Sequence, residues 1–91
     1  MSFQLQRYRD RLADVNYEIE KETNKILFLQ EQVQSRLKQK EEMEKHKFKW
    51  ENTYQLGLEQ TELEIAIREA VRNKLINEIK FLRLDIDGLT A

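Results

Sequence analysis

Cysteine and proline are absent from the 91 residues, and Gly57 and Gly88 are the only glycines. Each absence removes a class of protein. Without cysteine there is no disulfide framework, no thiolate metal site and no cysteine nucleophile. Small β and α/β domains need turn residues about every ten positions, and two glycines without a proline cannot supply them. Long apolar runs are missing too, since none nears the roughly 18 residues that span a bilayer. The opening segment carries alternating charge where a signal peptide would have its apolar core. A cytoplasmic, soluble protein is therefore the expectation. Charge of one sign is also lacking: 16 Lys and Arg face 17 Asp and Glu, for a net charge of -1. No global field draws the chain to nucleic acid or to an anionic membrane, and neither is expected as a partner.

What is present is 36% charged and 40% hydrophobic residues, rich in Ala, Leu, Lys, Arg, Glu, Gln and Ile. That mixture marks a coiled coil or long helix. A chain this short has a marginal core when alone, so association is expected.

The apolar positions give the heptad frame. Leu5, Leu12, Ile19, Ile26 and Val33 fall at a, and Tyr8, Val15, Glu22, Leu29 and Arg36 at d. Leu37 then becomes the next a position, counted back in heptads from Ile86, Ile79 and Ile65, so a four-residue stutter is expected at about 33–37. The stretch 38–57 is charged and holds neither frame. Downstream, Leu63, Ile67, Val71, Leu75, Ile79, Leu82, Ile86 and Leu89 form a stripe that starts in four-residue steps and ends in heptads. With Ile65, Ala66 and Ala70 it is broader than a two-stranded seam requires, which suggests more than one neighbour. The expected fold is all-α, residues 1–91 forming a single coiled-coil segment. It is read as a long, nearly continuous helix in a parallel dimer, with a helical hairpin as the alternative. The hinge of such a hairpin would lie at Glu51 to Gly57, and Gly88 sits where a helix C-cap would fall.

Chemistry is poorly represented. His46 is the only histidine, and zinc needs three or four ligands of its kind. Glu41, Glu42 and Glu44 lack the glycine turn of a calcium loop. Neither glycine follows a strand in a phosphate-binding pattern, and no nucleophile and base can be assembled from Ser2, Ser35 and one histidine. No enzyme activity, metal, cofactor or small-molecule ligand is expected. Arg7, Arg9 and Arg11 around Tyr8 could stack on bases, but Asp10 and Asp14 neutralise them. Four charged residues at core positions, Glu22, Arg36, Arg68 and Arg72, are either devices that set register and partner or signs of a misplaced frame.

The expected interface comprises Leu5, Leu12, Val15, Ile19, Ile26, Leu29, Val33, Leu37, Leu75, Ile79, Leu82, Ile86 and Leu89. Trp50 and Tyr54 join it, because they share a helical face at i, i+4, while Phe48 points elsewhere. These aromatics are candidates for binding hot spots or for filling a loosened core. The expected partners are the chain itself, as a homodimer, or other coiled-coil proteins.

From Glu62 to Leu89 the chain reads ELEIAIREAVRNKLINEIKFLRLDIDGL. This resembles the first coil of intermediate-filament rods, in runs of the type E-x-x-x-R-x-x-V followed by E-I-x-x-L-R. Arg9 to Asp14, RDRLAD, is similar to that family's rod-initiation motif, while its rod-ending motif is absent from this chain. Rod proteins of centrosomes, cilia and axonemes share such runs equally. The resemblance implies a cytoskeletal coiled-coil rod protein that oligomerises or scaffolds in a cytoskeleton-associated setting. The alternative is an adaptor subunit that docks as a helix or hairpin in a hetero-oligomeric multi-helix complex.

Overall fold

Strong helix formers fill both halves of the chain, and the helical hydrogen bonding fails only around residue 46. A computed structural model describes residues Phe3 to Thr90, all of them in two helices and one short connection. Helix α1 is Phe3–Lys45 and α2 is Asn52–Thr90. They lie antiparallel, and the molecule measures 69 × 16 × 15 Å. The all-α architecture is therefore the one expected, but the helix is not continuous. The hairpin, the alternative reading, is what forms.

The turn is made without glycine or proline. Phe48 N–H donates to the Met43 carbonyl at 2.7 Å and Lys47 N–H to that of Glu44 at 3.1 Å, the two bonds of a Schellman C-cap. Its left-handed residue is Lys47, with φ at 63°. On the far side the Glu51 carbonyl accepts from the N–H groups of Tyr54 and Gln55, both at 3.1 Å, and starts α2. The hinge thus falls at 46–51 and not at Glu51 to Gly57. A side chain in the left-handed region costs about 1–2 kcal/mol, part of which glycine returns to the flexible unfolded chain. Lys47→Gly should therefore raise the melting temperature by roughly 2–6 °C. An unchanged or lower value in a thermal melt would contradict the assigned cap.

The helices meet along one uninterrupted heptad seam. In α1, residues 5, 8, 12, 15, 19, 22, 26, 29, 33, 40 and 43 are buried or half-buried, and Arg36 fills the remaining place in the series. The stutter expected at 33–37 does not occur, and Leu37 is exposed. In α2 the seam is 58, 61, 65, 68, 72, 75, 79, 82 and 86. Leu63, Ile67 and Val71, which the four-residue steps placed in one stripe with Leu75 and Ile79, are exposed.

Two apolar segments result. Val15, Ile79 and Leu82 are packed with Tyr8, Leu12, Ile19 and Leu75 toward the open end. Ile26, Leu29, Val33 and Leu58 are the buried residues of the half nearer the turn. Gly57 lies inside α2 without positive φ, and the Arg36 guanidinium rests over it, 2.6 Å from where a Cβ would stand. Its role is clearance for an arginine crossing the seam. Gly88 is also helical and α2 continues to Thr90, so Gly88 is not a C-cap.

Candidate functional site

Two surfaces of the described helices could join other helices. The first is the seam, where Glu22, Arg68 and Arg72 fall between the two apolar segments and Arg36 and Lys40 lie toward the turn. Glu22 of α1 and Arg68 of α2 occupy facing seam positions and bond at 3.3 Å, with side chains only 16% and 30% exposed. Arg68 also donates to Glu64 at 3.3 Å, and Lys25 approaches Glu22 at 3.7 Å. Next to this layer, Arg72 donates to the Thr23 hydroxyl at 3.4 Å. These are true core positions, not products of a misplaced frame. Sliding α1 by one heptad would set Glu22 opposite Thr61 or Leu75 in place of Arg68, at the cost of a largely covered charge without its facing partner.

Toward the open end, Arg11 forms a two-pronged bond to Glu78, at 2.8 and 3.1 Å. The hydrogen bonds from Arg11 hold the Glu78 carboxyl below its usual pKa against the opposing effect of partial burial, with the charges of Arg11 and Lys74 adding to the lowering. The pKa of Arg11 is raised, chiefly by the same hydrogen bond. A carboxylate with a lowered folded-state pKa stabilises the fold above its unfolded value and loses that contribution as pH falls through the folded one. Melting temperature should fall on acidification below about pH 4.5, and Glu78→Gln should flatten that acid limb. An identical acid limb in the variant would show that the clamp contributes nothing.

At the turn, Trp50 and Tyr54 come together with ring centroids 5.3 Å apart, tilted by 43°. Helical spacing is not the cause, since Trp50 lies in the connection before α2 begins. Its indole N–H donates to Gln55 at 3.0 Å, and the Lys40 ammonium sits 5.9 Å from its ring centre. Trp50 is half-buried, whereas Tyr54 and Phe48 are exposed. The indole closes the end of the seam.

Of the other expected interface residues, Val15, Ile26, Leu29, Val33, Ile79 and Leu82 are buried within the hairpin. Leu5, Leu12, Ile19, Leu75 and Ile86 are half-buried, and Leu37 and Leu89 are exposed. The expected interface left out Leu58, Thr61 and Ile65, although the downstream frame was counted through Ile65. The downstream heptads, extended upstream from Ile79 and Leu82, contain them.

The second surface is the outer face of α2. Leu56, Leu63, Ile67, Phe81 and Leu84 are each more than half exposed there. They repeat every three and four residues, with Gln60, Ala70, Lys74 and Asn77 in the remaining places of a second heptad seam. The corresponding face of α1 is polar, reading Asp10, Asp14, Lys21, Asn24, Glu31, Ser35 and Lys38, with Tyr17 and Phe28 as isolated aromatics. One helix of the hairpin is thus apolar on two sides and the other on one.

Neither family models, curated proteins nor solved structures give a match to this chain. Among the described residues, no group of three or more His, Cys, Asp or Glu could hold a metal ion. None of the described helices is long and apolar enough to cross a membrane. A groove of about 420 Å³ beside Phe28, Leu29, Glu64 and Arg68 is open to solvent along the helix pair and carries no convergent set of catalytic groups.

Proposed function

We propose that this protein is a structural association module, a helical hairpin that enters a coiled-coil assembly through the outer face of α2. The observation that supports this reading most is the asymmetry between the helices. A free-standing hairpin needs one apolar stripe per helix, and α2 has two. On the outer face of α2 the exposed apolar side chains form two groups, Leu56, Leu63 and Ile67 in one half and Phe81 and Leu84 in the other, and such groups mark an interaction site. The hairpin form favours a subunit docking among other helices over a two-stranded parallel rod, in which α1 and α2 would be one helix. Charged layers in the seam give the hairpin a defined register, so the outer stripe is presented in a fixed geometry. The resemblance to filament rods suggests a cytoskeletal setting in the cytoplasm. No step of this role requires catalysis or a cofactor.

The test is the native size of the protein in an extract of cells that express it. Wild type should elute within a complex, and Ile67→Asp, on the outer face, should elute closer to the mass of the free chain while keeping its helicity. An unchanged elution of Ile67→Asp would remove the reading.

A further inference from the structure

We infer that the outer face of α2 is covered by α2 of a second copy, antiparallel, in a dimer with both α2 helices at its centre and both α1 helices outside. This rests on the association reading above and names its partner. The first argument is charge. In an antiparallel pair, flanking positions face their own kind across the seam, and those flanking the outer stripe are Glu59, Ala66, Asn73, Lys80 and Asp87 on one side and Gly57, Glu64, Val71, Glu78 and Asp85 on the other. One register sets Glu59 against Lys80 of the second copy, twice over by symmetry, and Glu64 against Val71. The same register sets Phe81 on Leu56, Asn77 beside Gln60, and Ile67 against Ala70, so polar meets polar at one layer and large meets small at another. Lys74 falls next to Leu63 and within reach of Glu64 of the second copy. Moving by one heptad either way sets Glu64 against Glu64, or against Glu78. A parallel pair stacks Lys74 on Lys74 and Glu59 beside Glu64. The antiparallel register alone avoids like charges.

The second argument is area. Full burial of such a side chain corresponds to about 60–120 Å² at ~25 cal/mol per Å², and these five are each more than half exposed, so covering them removes roughly 40–80 Å² apiece. Counting both copies, the five contribute about 400–800 Å², which makes the pair a small, reversible interface that also needs the flanking and backbone contacts along α2. The axis of this register passes near the middle of α2, so almost the whole helix is paired. An anionic membrane is a poor occupant, because Glu59, Glu64, Glu78, Asp85 and Asp87 outnumber Lys74 and Lys80 around the stripe.

Sedimentation equilibrium of the purified full chain tests the proposal. Wild type should show a reversible dimer with micromolar dissociation. Ile67→Asp should be monomeric over the same range with unchanged helical circular dichroism, which separates lost docking from lost folding. Lys80→Glu should weaken the dimer by roughly tenfold, since two attractive pairs become repulsive. Glu59→Lys added to Lys80→Glu should restore it. A wild-type monomer at 100 µM overturns the second copy as occupant; if the extract complex still responds to Ile67→Asp, the association reading survives with a different partner. A dimer that ignores Ile67→Asp overturns the surface, and failure of the charge swap to rescue overturns the register.

Discussion

Ile26→Asp is expected to unfold the hairpin. Ile26 is 2% exposed and belongs to the buried group between the charged layer and the turn. Truncating such a residue costs about 2–5 kcal/mol, and an uncompensated carboxylate adds to that. A domain of this size has roughly 5–14 kcal/mol in total, at ~0.05–0.15 kcal/mol per residue. Loss of most of the helical circular dichroism at 25 °C, or a fall in melting temperature of more than about 15 °C, is the expected result. In a two-chain coil the same change would separate chains and make the loss depend on concentration. In a hairpin the loss is intramolecular, so it persists at concentrations low enough to dissociate any outer-face dimer. A variant as helical and as heat-stable as wild type would show that Ile26 does not face α2.

The second large effect concerns the layer of Glu22 and Arg68. Arg68→Leu should destabilise by about 2 kcal/mol, because it leaves a largely covered carboxylate with only Lys25 at 3.7 Å. The double variant Glu22→Leu/Arg68→Leu should recover that loss and exceed wild type by about 1–2 kcal/mol, as a paired charge gives way to packed hydrocarbon. The two changes in denaturation midpoint thus have opposite signs. What the double variant loses is the penalty against sliding. Spin labels placed at 7 and 87 should give one narrow distance distribution in wild type and a broad or split one in the double variant. Equal stability of wild type and Arg68→Leu would mean that water screens the pair and that it sets no register.

Much of the seam could be read from the residues. Leu5 to Val33 fell into frame on hydrophobicity alone, as did Leu75 to Leu89. The continuation of α1 was hidden because its next members, Arg36 and Lys40, are charged, and the apolar Leu37 drew the frame one residue away. The upstream half of α2 was misread for the converse reason. Leu63 and Ile67 are more apolar than the true seam residues Thr61, Arg68 and Arg72, since they belong to a second, outward face that Val71 flanks. The breadth of the stripe carried that information: α2 is apolar on an outward face as well as along its seam.

The turn left almost no trace in the sequence. Its left-handed position is a lysine where glycine is usual, and the one glycine in the vicinity, Gly57, serves to clear Arg36. A signal for the hairpin did exist in the charges. Glu22 and Arg68 are almost equidistant from residue 46, as are Arg11 and Glu78 within a turn, so folding the chain there pairs opposite charges in both layers. Hydrophobic periodicity cannot see such pairing, because a heptad seam looks the same whether its partner is another chain or the other half of its own.

The chain folds back on itself between residues 46 and 51, and small-angle X-ray scattering reads this from the length of the particle. The hairpin is 69 Å long, and pairing two hairpins through α2 lengthens the particle little. A maximum dimension of about 70–90 Å, with a cross-section of two to four helices, is the predicted result. A thin particle of about 135 Å, the length of 91 residues at 1.5 Å each, would contradict it.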